Sequence, residues 1–95
     1  MREYETMFIL NPDLEDDITE EIVENIKNTI DESKGEISNI DKWGTKKLAY
    51  ELDDHKAGYY TVINFNGKGE TVDELERVYR LNDNILRFII LRDEQ

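Results

Sequence analysis

No cysteine occurs among the 95 residues, and histidine, proline and tryptophan occur once each. Without thiols neither a disulfide framework nor a thiolate metal site can form, and a lone His55 cannot complete a ligand set. Long apolar runs are missing too. The longest, Met7 to Leu10 and Phe88 to Leu91, span four residues each, far short of the roughly 20 that a membrane helix requires. Met1-Arg2-Glu3-Tyr4-Glu5 places two acids where a secretory signal needs positive charge, so the expected setting is the reducing cytoplasm. Positive charge is scarce: 12 Lys plus Arg face 23 Asp plus Glu, a net charge of -11. Such a field repels polyanions and excludes indiscriminate nucleic-acid binding.

The few cations are nevertheless gathered. Lys42, Lys46 and Lys47 crowd around Trp43 and Gly44, and a basic island with an aromatic centre suits a phosphate backbone beside an unstacked base. Stacking of a base on an aromatic ring contributes about 1–3 kcal/mol. Lys46 and Lys47 point to opposite faces of one strand, so both reach a ligand only at a sheet edge or end. The bland alternative is a solvated strand in which Trp43 closes the edge of the core.

Periodicity supplies the fold. Tyr4, Thr6, Phe8 and Leu10 alternate with Glu3, Glu5, Met7 and Ile9, a first strand ended by Asn11-Pro12-Asp13. Ile18, Ile22, Ile26 and Ile30 recur at helical spacing with Val23 beside them, started by a capping-box-like Asp17 and Glu20 and closed near Gly35. Glu36 to Trp43 and Lys46 to Leu52 read as one long second strand bulged at Gly44, with Leu48, Tyr50 and Leu52 inward. A polar turn, residues 53–58, leads to a third strand with Tyr59, Thr61, Ile63 and Phe65 inward. Thr71 and Glu74 cap a second helix marked by Val72, Leu75, Val78 and Tyr79, and Ile85 to Arg92 forms the last strand with Leu86, Phe88 and Ile90 inward. The order βαββαβ predicts an α+β ferredoxin-like split βαβ fold, with a four-stranded antiparallel sheet and two helices on one face. Residues 1–95 form a single domain, large enough to bury roughly 60–65% of its unfolded surface, and residues 93–95 are expected to fray.

The face opposite the helices should be polar in a protein that works alone. Its expected occupants are instead Met7, Ile9, Ala49, Tyr60, Val62, Ile89 and Leu91, flanked by Lys47 and Arg87 with Glu3, Glu5 and Glu51 at the margins. An apolar centre with a charged rim is the anatomy of a partner-binding surface; strand propensity alone is the competing explanation. Other features carry less. Gly67-Lys68-Gly69 before a helix lacks P-loop spacing, and Lys56 to Val62 matches the aromatic strand of RNA-recognition motifs only loosely. Asp16, Asp17, Glu20, Glu21 and Glu24 sit at a helix start, where the dipole favours acids. No nucleophile and base pair up, so no catalytic residues, no metal and no cofactor are assigned, and an enzyme is not expected.

Four segments together resemble the bacterial small-subunit ribosomal protein six family. These are Arg2 with Tyr4-Glu5 and Ile9-Leu10-Asn11-Pro12, then Trp43 to Tyr50, then Gly58-Tyr59-Tyr60, and finally Leu81 to Arg87. The resemblance covers nearly the whole chain and implies the same ferredoxin-like fold and a structural role in the small ribosomal subunit. It also implies two partners: the central domain of 16S ribosomal RNA, and ribosomal protein eighteen, a basic protein that would supply much of the phosphate neutralisation. Carried over by position, it assigns RNA contacts to Arg2, Lys46, Lys47 and Arg87, beside Lys42 and Trp43, in a protein that is monomeric when isolated. The family commonly has Arg in the pair occupied here by Lys46 and Lys47, and Lys lacks the planar bidentate fork. Two rivals stay open: a regulatory module of the same fold that dimerises or binds a metabolite through the open face, and an acylphosphatase-like enzyme, which would need a glycine phosphate loop where Asn11-Pro12-Asp13 stands.

Overall fold

Alternation in the strands and four-residue spacing in the helices produce β1 (Arg2–Leu10), α1 (Asp16–Glu32), β2 (Glu36–Leu52), β3 (His55–Gly67), α2 (Gly69–Leu81) and β4 (Ile85–Arg92). The computed structural model describes residues 1–52 and 54–93. The strands form one antiparallel sheet in the order β2-β3-β1-β4, the ferredoxin-like arrangement.

Both helices lie on one face. Ile22, Val23, Ile26 and Ile30 of α1 and Leu75 and Tyr79 of α2 pack on Phe8, Leu10, Ile63 and Phe65 of the sheet. Each such side chain, fully buried, contributes about 1.5–3 kcal/mol. Ile18, at the start of the same stripe, remains exposed. A buried polar chain fastens α2 to the sheet: the Tyr79 hydroxyl lies 2.9 Å from Thr6 Oγ1, which donates to the Ile89 carbonyl at 2.9 Å. Because Thr6 gives its one hydroxyl proton to Ile89, Tyr79 is the donor to Thr6.

Several local expectations shift. α1 begins one residue before Asp17, after an N-cap at Glu15 whose side chain makes no capping bond. α2 begins at Gly69, so Thr71 falls inside its first turn, where Oγ1 accepts the Lys68 N–H at 3.2 Å and donates to the Ser33 carbonyl at 3.1 Å. The polar turn is shorter than expected, because Leu52 already pairs with His55, and Asp54 adopts φ 66°. Lys56, Ala57 and Gly58 thereby become strand. In β4 a bulge opposite the Ile9/Leu10 step pairs Leu10 with Ile85, so Ile85 joins the core cluster and Leu86 does not. Asp93, placed by sequence in a frayed tail, donates its backbone N–H to the Glu3 carbonyl at 2.8 Å; Glu94 and Gln95 lie outside the described residues.

Burial raises the Tyr79 hydroxyl well above its ordinary value, and the hydrogen bond with Thr6 only partly opposes this. A raised folded-state value means that Tyr79 contributes full stability below the unfolded tyrosine value of about 10 and loses it progressively above that pH. Tyr79→Phe is expected to cost about 0.5–1.5 kcal/mol at pH 7 and to flatten the fall in stability at alkaline pH, as read by urea unfolding. Thr61→Val should be neutral or stabilising, since the buried Thr61 Oγ1 has no hydrogen-bond partner among the described residues.

Candidate partner and nucleic-acid interface

Directly paired residues share a face, so the ladder fixes what the helix-free side carries. Met7 pairs with Val62 and Ile89, Ile9 with Tyr60 and Arg87, and Glu5 with Asn64 and Leu91. These residues therefore stand together opposite the helices, as the alternation in β1, β3 and β4 implied. None of Ile9, Leu48 or Val62 belongs to the helix-side cluster, yet all three are buried. Their cover comes from neighbours on the open face itself. At Gly58 the backbone is approached so closely that a Cβ would collide with Ile9 Cγ2 and would touch Leu48 Cδ2 at 3.5 Å. The open face thus has a small core of its own, and its most accessible apolar side chains are Trp43 (47% exposed), Ile89 (38%) and Leu91 (53%).

β2 departs from expectation. Lys42 pairs with Thr61 and Gly44 with Tyr60, which leaves Trp43 as an extra residue, and Gly44 takes φ 80°. One inserted residue moves everything after it to the other face. Lys46, opposite Gly58, and Leu48, against Ile9, therefore lie on the open face, while Lys47, opposite Ala57, falls on the helix-side row. The expected row of Leu48, Tyr50 and Leu52 toward the helices is corrected accordingly. Ala49, next to Leu48, falls on the other row and is exposed, so it does not line the open face. Lys47 does not flank that face either.

The bulge also sets Trp43. Its indole Nε1–H donates to Asp41 Oδ2 at 3.0 Å, and its ring stacks on Tyr60 with centroids 6.2 Å apart and 17° between planes. Asp41 pairs with Val62, so all three stand on the open face. Sequence reasoning missed Asp41; an acid two residues before an aromatic on one strand row was the available signal.

β1 ends its pairing at Leu10 opposite Tyr59, whereas β2 and β3 run on to the Leu52–His55 pair. The two strands project as a free arm carrying Lys46, Lys47, Lys56 and Tyr50, the last 83% exposed. Ion pairs among the described residues join Lys27 to Glu24, Arg77 to Glu74 and Arg80 to Glu76, and His55 Nδ1 lies 3.8 Å from Asp13 Oδ2. The arm's lysines are in none of them. Arg87 lies on the open face in the row Gly44–Tyr60–Ile9–Arg87, about 14 Å across three strand spacings. Lys42 stands on the other side and lines a cavity with Glu20, Glu24 and Lys27 of α1. Arg2 pairs with Gly67, nine residues along β3 from the Gly58 that faces Lys46, a separation of about 30 Å. The structure thus gathers Trp43, Lys46, Lys47 and Arg87 at one end and leaves Arg2 at the other. Among the described residues no group of acids, histidines or cysteines is placed to hold a metal ion, and no helix is long and apolar enough to cross a membrane.

The family model described as ribosomal protein S6 matches residues 3–92. The chain belongs to the ribosomal protein S6 family. It is 47% identical over 95 residues, the full length of both chains, to small ribosomal subunit protein bS6 of Thermoanaerobacter pseudethanolicus. It is 42% identical to that of Carboxydothermus hydrogenoformans, across 100% of this chain and 99% of the other. The crystal structure of 30S ribosomal protein S6 from Thermotoga maritima superposes with a TM-score of 0.93 at 39% identity, covering 97% of this chain and 87% of that one. The C-terminal domain of the MgtC protein from Mycobacterium tuberculosis shares the fold at a TM-score of 0.65 and 13% identity. The fold alone therefore does not specify a role; the S6 family does, and it is a non-enzymatic ribosomal one.

Gly44→Ala tests the β2 bulge directly. No atom lies within 4 Å of the added methyl, but φ 80° disfavours any residue with a Cβ, so the cost is expected at about 1–2 kcal/mol from backbone strain alone. Urea unfolding should show a lowered midpoint with an unchanged slope.

Proposed function

We propose that this chain is a structural component of the small ribosomal subunit that binds the central domain of 16S ribosomal RNA together with ribosomal protein eighteen. The observation that carries the reading is the helix-free sheet face, whose exposed Trp43, Ile89 and Leu91 stand beside Lys46 and Arg87, which join no ion pair among the described residues. The apolar part, with Met7, Tyr60, Ile89 and Leu91 set over the buried Ile9 and Val62, receives the protein partner. The arm, with Lys46, Lys47 and Trp43, meets RNA from one end, and Arg87 borders both. Full-length similarity to bS6 proteins supports the setting. Arg2 joins this reading as a contact to a separate stretch of RNA, since no single short segment spans the distance to Lys46. Lys42 contributes from the helix side of the same strand.

The charge distribution supports dependence on a partner. α1 holds Asp16, Asp17, Glu20, Glu21, Glu24, Asp31 and Glu32 against Lys27 alone, so the helix layer repels phosphates and turns the arm toward RNA. A basic second protein offsets the remaining repulsion. The double substitution Lys46→Ala, Lys47→Ala should weaken RNA binding in the presence of the partner and reduce the slope of log K against log salt by about 0.7–0.9 for each phosphate no longer neutralised. An unchanged slope would remove both lysines from the site. Ile89→Lys should weaken association with the protein partner about tenfold or more while leaving the unfolding free energy within about 0.5 kcal/mol of the parent.

A further inference from the structure

The two edges of the sheet are guarded very differently. β2 is interrupted by bulges at Ile37/Asn39 and Lys42/Gly44 and carries Lys42, Lys46 and Lys47, the devices by which natural edges resist pairing with another strand. β4 has neither in its middle. From Arg87 to Arg92 it pairs with β1 without irregularity, and Phe88-Ile89-Ile90-Leu91 is apolar on both rows. Among the described residues nothing pairs with its outer side.

Two hydrogen bonds set the phase of that edge. Asp93 donates its backbone N–H to the Glu3 carbonyl at 2.8 Å, and the Ile89 carbonyl accepts Thr6 Oγ1 from β1 at 2.9 Å. In an antiparallel ladder the inward and outward backbone groups alternate by residue. Arg87, Ile89, Leu91 and Asp93 therefore turn their N–H and C=O toward β1, and Phe88, Ile90 and Arg92 turn theirs outward, spaced by about 6.8 Å.

We infer that the outer edge of β4 takes a strand from the protein partner, an extended basic polypeptide segment that pairs with the backbone of Phe88, Ile90 and Arg92 and sets apolar side chains beside Ile89 and Leu91. The inference rests on the partner-binding role proposed for the open face and specifies how that partner is held. Ile89 and Leu91 are exposed on that face at this edge, so a strand added to β4 extends the same apolar surface. Main-chain bonds then give affinity, and alternate side chains give register. Net charge selects the occupant: a second copy brings two chains of -11 together, whereas a basic segment is attracted.

The test uses the full chain, 15N-labelled, with unlabelled ribosomal protein eighteen as the probe. In the free protein the amides of Ile89 and Leu91 should exchange slowly and those of Phe88, Ile90 and Arg92 quickly. In the complex the second set should slow at least about tenfold. Arg92→Pro removes one outward N–H without touching the β1 ladder, and should weaken the complex about threefold to tenfold. Arg92→Ala keeps that N–H and should bind within about twofold of the parent. A complex that forms, and that Ile89→Lys weakens, but in which these three amides exchange as before, overturns strand addition while leaving face docking intact. Absence of any complex overturns both. Protection of the same amides in the isolated chain at high concentration assigns the edge to a second copy and overturns the basic occupant.

Discussion

The single extra residue at Trp43 is the constraint on which the arm and the open sheet face of this molecule depend. Without it Lys46 and Leu48 would follow the parity of Lys42 and lie toward the helices, and the open face would be deprived of its lysine and of Leu48 beneath it. With it, Trp43 is lifted from the ladder, held by Asp41 and laid against Tyr60. Gly44 makes this possible because φ 80° is open to glycine at little steric cost.

That one residue also explains where sequence reasoning stops. In β1 and β3 the apolar and polar rows alternate without interruption, so the faces of Phe8, Ile9, Tyr60 and Ile63 can be read from period two alone. α1 is equally legible from Ile22, Ile26 and Ile30. In β2 the glycine announces a bulge, but a bulge changes parity, and nothing local says on which side of Gly44 the extra residue falls. Leu48 looks like a core residue and is one, in the other core. The cations pose a second problem: clustering in sequence does not survive a strand, where Lys42 and Lys46 end on opposite faces and Lys56 arrives from the neighbouring strand. Arg2 and Lys46 are both bases expected at one ligand, yet most of the sheet's length separates them. Helix starts differ by two or three residues because Asp17 and Thr71, which satisfy a capping pattern in sequence, lie inside the first turn, past the N-caps at Glu15 and Lys68.

The two sides of the sheet divide the work. The helix side carries the main core and the Tyr79–Thr6–Ile89 chain, which ties α2, β1 and β4 together. The open side carries a second, smaller cluster whose burial needs no partner. A platform already packed in the free protein loses little conformational freedom when covered, so more of the contact energy survives as affinity. Trp43 follows the same logic. An indole held by a hydrogen bond and a stacked ring is presented at lower entropic cost than a free one.

Charge then decides direction. The two helices hold 11 of the 23 acids, seven on α1 and four on α2, and Lys46, Lys47 and Lys56, in no ion pair among the described residues, project with Glu51 and Asp54 on an arm that runs past the end of β1. At physiological salt the Debye length is about 8 Å, and the molecule measures 37 × 28 × 21 Å, so a phosphate near the arm is screened from most of the distant acids. Far away, an approaching polyanion meets the net field and is repelled; close to the arm it meets local cations. A charge distribution of this kind opposes random encounter with nucleic acid and favours delivery by a basic partner. In the proposed role the apolar sheet face docks the protein that delivers it, so that an acidic chain with few bases takes a defined place in a ribonucleoprotein.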